Sequence, residues 1–340
     1  EENAMGAEWS CGLSALDWSL FSCSRSAEPE SDNLALVFIK PRACTPAVIA
    51  LVSERLCRGG LTIVESGEVK SEDIERKALV ERHYHSISSK ASVLSPRALQ
   101  FPTALFAAKF GLRWADALER GEVLSASEAL SRFGWSEEQL SARWDIAVWR
   151  DQVAHLGSGF YVGRLDLDGG SDIFIVNGFW PRMRRRFVTP GGCLKWFVVR
   201  FDARELSWAQ FRADILGATD PASAPADSLR GTIFAHWREL GIAQEPSLDD
   251  NAVHASASPF EGLAERCTWL DRYIHQDGYG AYLLRCGLNY KTLLAWCKNP
   301  SIDGVPVFDL FQDMDALPCA AAAVELEARD LVVTGGRSIS

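Results

Sequence analysis

The stretch Asn251-Ala252-Val253-His254-Ala255-Ser256-Ala257-Ser258-Pro259-Phe260-Glu261, running on to Glu265, decides how this chain reads. It contains a well-marked helix start. Ser258 is a good N-cap, Pro259 stands at the first helical position where its missing N–H costs nothing, and Glu261 completes a capping box. That start fixes the short turn ahead of it, and the turn carries His254. A helix N-terminus favours negative charge, so a phosphate beside His254 would be stabilised there. A neutral imidazole with one free ring nitrogen attacks phosphorus, provided a fixed partner orients the ring. Ser256 and Glu265 are the local candidates. Glu265 lies about two turns into the helix, at about 1.5 Å rise per residue, and can fold back toward the turn.

Working outward, Leu34–Ile39 is a short apolar run with β-branched and aromatic members, which suits a buried strand. Pro41 ends it and leaves Lys40 at its C-terminal end. Thr45-Pro46 opens a helix to Cys57 with Val48, Ile49, Leu51, Val52 and Leu56 at helical period, stopped by Gly59-Gly60. Leu61–Val64 opens a second strand. Ser71 then caps one helix with Ile74, Ala78 and Leu79 inward and His83, Tyr84 and His85 near its end. Much later, Trp196–Phe201 reads as a strand, Ser207–Leu216 as a helix ended by Gly217, and Pro259–Leu270 as another helix. Alternation of this kind predicts a small sheet with helices on one face.

Several side chains in these segments suit an anionic ligand. Lys40 and Arg230 are fixed cations that can clamp phosphate oxygens, Arg through a planar fork and Lys as a point charge. Thr219 adds a neutral donor after a helix end. Asn251 both donates and accepts, which suits a sugar hydroxyl or a phosphate. The basic run Arg182-Met183-Arg184-Arg185-Arg186 reads either as a solvated face or as an anion contact. His83 and His85 read as helix-surface residues, since nothing nearby in sequence completes a metal site. Tyr84 is open between core packing and the site.

The bulk numbers set limits. With 340 residues, 47% of them hydrophobic, the chain can bury a sizeable core. A net charge of -10 argues against the broad basic footprint of a nucleic-acid binder. No apolar run approaches a membrane span. The nine Cys form no CxxC pair, which fits free thiols in a reducing cytoplasm. Residues 1–32 read as an N-terminal extension, of which 1–4, ahead of Met5, read as a cloning remnant. Residues 87–172 read as an inserted, mainly helical subdomain. It has helical patches at Ala104–Leu118, Ser127–Arg132 and Glu137–Trp149, a strand at Phe160–Leu165 and a turn at Asp168–Ser171. Residues 271–340 form a C-terminal extension with an apolar segment near Tyr290–Trp296.

Four motifs now stand in order: Ile39-Lys40-Pro41, Gly217-Ala218-Thr219-Asp220-Pro221, Arg230-Gly231 and Asn251-x-x-His254-x-Ser256. They resemble the successive motifs of nucleoside diphosphate kinases. The Thr219-to-Arg230 spacing and the position of Glu265 relative to His254 match as well, and Tyr84 resembles the tyrosine lining that family's active site. The resemblance covers 34–86 and 180–270. It implies an α+β, ferredoxin-like βαββαβ core, an antiparallel sheet with helices on one face, assembled from 33–86 and 173–270 and interrupted by the insertion. It implies ping-pong transfer of a terminal phosphoryl group from a nucleoside triphosphate to a nucleoside diphosphate, with Mg²⁺, through a phosphohistidine at His254. Lys40, Thr219 and Arg230 would hold phosphates, Asn251 would contact sugar and phosphate, and Ser256 and Glu265 would orient the histidine. No protein-held metal, no nucleic acid and no membrane enter this picture; the family's symmetric oligomers make a homo-oligomer an expectation that the insertion can block or remake.

The sequence also departs from the family. Arg42 replaces the aspartate after Lys-Pro, and Ala257 replaces the aspartate after the serine. A second phosphate-binding arginine is expected four residues before Gly217; Ala213 stands there, with Arg212 one residue away. A one-residue shift on an α-helix turns a side chain by about 100°, which leaves Arg212 a candidate extra phosphate contact in an altered direction. Arg184, Arg185 or Arg186 are substitutes. Phe179 and Trp180 are the candidates for stacking on the base. These departures leave two rivals: the same chemistry on a specialised acceptor, and a non-catalytic nucleotide-binding or scaffold module, with the helical insertion as an interaction surface in either case.

Overall fold

The computed structural model describes residues 32–167, 170 and 172–335. The expected N-terminal extension, most of the Asp168–Ser171 turn and the last five residues lie outside them. Among the described residues, eight strands make up two four-stranded sheets: β1 (Asp32–Ile39), β2 (Thr62–Lys70), β3 (Val123–Ser125), β4 (Val153–Gly157), β5 (Phe160–Asp166), β6 (Asp172–Val176), β7 (Cys193–Asp202) and β8 (Val253–Ala255); Ser301–Ile302 and Val305–Pro306 form a separate short pair. The first sheet has the order β2-β7-β1-β8, and every pairing in it is antiparallel. The chain is α+β throughout.

β1 is one of the two inner strands of this sheet, and the uninterrupted apolarity of 34–39 explains why. Successive side chains of a strand point to opposite faces, so a strand apolar at every position must be covered twice. Ala35, Val37 and Ile39 pack on one face with Val48, Val52 and Leu56 of helix Pro46–Arg58, and with Trp208, Phe211 and Ile233. Leu36 and Phe38 pack on the other face with Ile74, Leu79, Val80, Trp180, Phe187 and Trp269. Helices thus cover both faces of the sheet, not the single face predicted. Each fully buried Val, Leu, Ile or Phe among them contributes about 1.5–3 kcal/mol.

The second covering layer comes from segments that the sequence pattern misjudges. The single helix expected after Ser71 is three: Ser71–Arg76, Leu79–His83 and His85–Ser92. Ala78 breaks the first from the second with a left-handed backbone, φ 50°. The Ala104–Leu118 patch likewise splits into Thr103–Phe110 and Trp114–Glu119, around Gly111 at φ 68°. Glu137–Trp149 forms as predicted, behind a Ser136–Gln139 capping box.

Helices supply most of the regular structure in the described part of 87–172, but not all of it. The region also carries a second sheet of order β3-β6-β5-β4, in which β3 pairs parallel to β6 and the rest are antiparallel. Only β5 was legible, because β3, β4 and β6 are too short to establish a period. Phe106, Phe160, Val162 and Phe174 fill its own small core.

Helix Pro259–Trp269 joins the first sheet to the C-terminal region. Its Phe260 and Leu263 pack with Leu283, Trp296, Phe311 and Ala320. Its Arg266 lies 2.7 Å from Asp277, with both side chains essentially out of solvent, and donates to the Leu34 carbonyl at 2.6 Å. Among the described residues no helix is long and apolar enough to cross a membrane.

Candidate active site

His254 lies on β8 rather than in a turn. It pairs opposite Phe38 of β1, so the sheet itself fixes its backbone. The ring stacks on the Phe38 ring at 4.5 Å and 25°. His254 Nε2 is 2.5 Å from Glu265 Oε1. The other carboxylate oxygen is 2.6 Å from Ser256 Oγ, and Ser256 Oγ accepts the Leu36 N–H at 2.9 Å. Glu265 therefore folds back as the sequence suggests, and a chain of contacts ties the imidazole to the backbone of the central strand. Among the described residues, nothing bonds to Nδ1.

Electrostatics keep this ring neutral. Burial holds the His254 pKa well below the ordinary histidine value, and Lys40, Arg230 and Arg212 push it down further. Burial raises Glu265 to about 7, against the opposing pull of His83, Ser256 and Arg266. When Glu265 is ionised it accepts the Nε2 proton. That tautomer leaves the lone pair on Nδ1.

The cations come from three elements. Lys40 follows β1, and its N–H donates to the Ala252 carbonyl at 2.8 Å, which ties the ends of β1 and β8 together. Its ammonium is buried, and that lowers its pKa to about 8 against the pull of Asp250. Arg230 sits in the first turn of helix Leu229–His236, capped by Ser228. Its guanidinium donates to the carbonyls of Val253 at 3.1 Å and Gly217 at 3.0 Å. Burial and the nearby Arg212 charge lower its pKa to about 10. Buried like charges interact through a low dielectric, so they favour an anion strongly.

The backbone around Arg212 decides where its side chain points. Residues Phe211–Leu216 wind as a π-helix, and the Gly217 N–H donates to the Arg212 carbonyl at 3.0 Å, five residues back. A π turn absorbs one extra residue, so Arg212 takes the place that an arginine four residues before Gly217 holds on an α-helix. Its charge bears on both His254 and Arg230, and it pairs with Asp313 at 2.5 Å. Gly217 can end this turn because it is glycine: at φ 89° an added Cβ would lie 2.2 Å from Ser228 Oγ.

Thr219 is exposed, and its backbone carbonyl, not its hydroxyl, makes the contact, accepting from Asn251 Nδ2 at 2.9 Å. The other amide atom, Asn251 Oδ1, is buried without a partner. Of the three substitute arginines, Arg184 pairs with Glu75 and Glu81, and Arg185 with Glu137 and Glu138. Only Arg186 approaches the site, bonded to Asp249 at 3.0 Å and acting on Lys40. Arg42, where the aspartate was expected, pairs with Asp250 at 2.7 Å.

Tyr84 and His254 both line one cavity of about 180 Å³, together with His83, Glu261, Glu265 and Lys298. Phe179 does not reach it. It follows β6, and its ring packs against Trp144 and Tyr161 of the inserted unit, at 5.6 Å from each; Trp180 is buried in the core. His83 is the residue that sequence reasoning missed. Its side chain is 5% exposed, with Nδ1 3.7 Å from Glu265 Oε1, and its ring meets that of His254 edge-on at 4.9 Å. Burial lowers its pKa to about 3. The break at Ala78 turns it inward; its place beside Tyr84 was the available signal. His85 is exposed as expected.

Mg²⁺ takes oxygen ligands and keeps several waters. The unpartnered Asn251 Oδ1 is an oxygen donor beside the buried cations that suits a hydrated Mg²⁺ or a sugar hydroxyl.

No protein-family model matches this chain, and no curated protein matches it. Among solved structures it is similar to a nucleoside diphosphate kinase from Encephalitozoon cuniculi, at 13% identity over 71% of this chain and 90% of that one, TM-score 0.34. It is also similar to the enzyme from Borrelia burgdorferi with bound vanadate and ADP, at 17% identity, 70% and 87% coverage and TM-score 0.33. A third is an NDP kinase from Pyrobaculum aerophilum, at 18% identity, 70% and 95% coverage and TM-score 0.34.

Proposed function

We propose that this chain is a phosphotransferase of the nucleoside diphosphate kinase type. His254 Nδ1 attacks the terminal phosphorus of a nucleoside triphosphate, the bond to the bridging oxygen breaks, and the diphosphate leaves with that electron pair. A second nucleoside diphosphate then takes the phosphoryl group from the histidine. The observation that carries this reading is the orientation of His254: Nε2 held by Glu265, Glu265 held by Ser256, and Nδ1 open under the charges of Lys40, Arg230 and Arg212.

Each residue has a role in this reading. Phosphoryl transfer needs positioning and charge stabilisation. Lys40, Arg230 and Arg212 stabilise the equatorial oxygens of the transferring group. Asn251 takes sugar or phosphate through Oδ1, and Thr219 anchors Asn251. Tyr84 lines the cavity beside His254. Mg²⁺, brought with the phosphates and supported at Asn251, supplies charge neutralisation. The strand order β2-β7-β1-β8, with helix Pro46–Arg58 and helices 208–216 and Leu229–His236 in between, fits a ferredoxin-like βαββαβ core. On this reading that core comprises 33–86 and 173–270, with 87–172 inserted and 271–340 appended.

A second reading keeps the chemistry and narrows the acceptor. Asp249 and Asp250 lie against Arg186 and Arg42 beside Lys40, and an incoming phosphate must compete with them. The test is turnover of ATP and Mg²⁺ with a panel of nucleoside diphosphates. Formation of the matching triphosphates with ping-pong kinetics supports the general kinase. Transfer to none of them, with the histidine still phosphorylated by a single equivalent of ATP, supports the specialised acceptor.

A further inference from the structure

The proposed reaction uses one face of His254. On the other face, Nε2 and the Glu265 carboxylate that orients it stand beside His83, which the reaction leaves unused. His83, His254 and Glu265 each present one ligand atom, and these atoms lie within 4.8 Å of one another. We propose that they form a Zn²⁺ site, with a fourth position open to the adjoining cavity.

The chemistry of the donors favours a borderline transition-metal ion over Mg²⁺. Two imidazoles and one carboxylate suit Zn²⁺, whereas Mg²⁺ takes oxygen. Each donor is fixed by something behind it. The His83 ring is boxed edge-on by Phe38 at 5.6 Å, Tyr84 at 4.3 Å and Trp269 at 5.6 Å. The His254 ring stacks on Phe38. Glu265 is anchored through Ser256 Oγ, so its second oxygen already has the outer contact that metal-binding carboxylates need. Bond lengths of about 2.0–2.1 Å place the ligands of a tetrahedral ion roughly 3.3 Å apart. His83 Nδ1 and Glu265 Oε1 are already 3.7 Å apart. Glu265 Oε1 and His254 Nε2, at 2.5 Å, must open by about 1 Å to admit an ion of this size. The cavity of about 180 Å³ lined by all three residues provides the entry path and room for a water.

The site has a consequence for the reaction, which rests on the function proposed above. A neutral imidazole that binds zinc through Nε2 carries its proton on Nδ1. The proton shared with Glu265 moves there, and the lone pair that attacks phosphorus is lost. Zinc at this site is therefore an inhibitor that acts by choosing the tautomer, and it competes with phosphorylation without occupying the phosphate pocket.

Titration of the metal-free protein with Co²⁺, read in the visible spectrum, tests the site itself without any turnover. The wild type is expected to give the intense d–d bands of a four-coordinate ion, abolished by one equivalent of Zn²⁺. His83→Gln and Glu265→Gln, each with an unchanged circular dichroism spectrum, are expected to bind about tenfold or more weakly. Absent bands, affinity unaltered in His83→Gln, or a near-ultraviolet thiolate charge-transfer band that puts the metal on cysteines would each overturn the proposal. Failure of phosphotransfer alone would leave the spectrum as it is, so the two ideas fail separately.

Discussion

The proton between His254 and Glu265 decides which ring nitrogen reacts. Burial raises Glu265 to about 7 and holds His254 far below the histidine range. Below that pH the carboxyl keeps its proton and donates to Nε2, so Nδ1 must carry the ring hydrogen and cannot attack. Above it Nε2 donates to the carboxylate and Nδ1 is free. Phosphoenzyme formation should therefore rise with pH through about 7 in rapid-quench measurements. Glu265→Gln still accepts from Nε2 but loses the charge. It should flatten that rise and remove a charge-assisted hydrogen bond, about 1.5–3 kcal/mol, or about ten- to a hundredfold in rate. A rise that persists in the Gln variant would assign the titration to another group. This much was legible: His254, Ser256 and Glu265 stand at offsets that a strand followed by a capped helix brings together. His83 was not, since its inward direction depends on a backbone break at Ala78 that no side-chain pattern announces.

Helix Pro259–Trp269 brings two acidic residues into the interior, and only one of them serves the histidine. Glu261 accepts the Ala257 N–H at 2.7 Å, and burial, with the charge of Glu265, raises its pKa to about 8. A carboxyl whose folded pKa exceeds its unfolded value holds its proton more tightly when folded. Between the unfolded value of 4.5 and the folded value of about 8, the folded state binds the extra proton, so stability falls as pH rises across that window. Glu261→Gln keeps the acceptor and removes the titration. Its thermal midpoint should exceed that of the wild type by a margin that grows from about pH 5 to about pH 8. A margin independent of pH would show that Glu261 is solvated. At this scale the sequence reads unevenly. Capped helices such as Glu137–Trp149 announce themselves, whereas the π-helix Phe211–Leu216 does not, because its five-residue span is a backbone choice rather than a side-chain signal. That choice is what brings Arg212 to the site.

Across the whole molecule, the segment after residue 270 is part of the same packed body. Arg266 and Asp277 form a buried ion pair, and the same guanidinium holds the Leu34 carbonyl of β1. Asn33 donates to Asp315 at 2.7 Å, from the first strand to the start of the last helix. Breaking a buried pair strands a charge, at about 3–5 kcal/mol. Asp277→Ala should lose about that much in urea unfolding, a far greater loss than an exposed pair shows. A loss under about 1 kcal/mol would mean that the C-terminal segment is loosely attached. The sequence marked the C-terminal region and the insertion as separate textures, and their contacts with the core come from single buried residues that no local pattern could reveal. The short strands of the second sheet were hidden by their length, which is too small to show a period.

The central claim is that His254 carries phosphate. Incubation with γ-labelled ATP and Mg²⁺, followed by denaturing separation of wild type and His254→Ala, tests it most directly. The account predicts acid-labile, base-stable label on the wild type and none on the variant, with the label chased off by an acceptor. Label that survives acid, equal label on His254→Ala, or no label on a wild type that still binds ATP would contradict it.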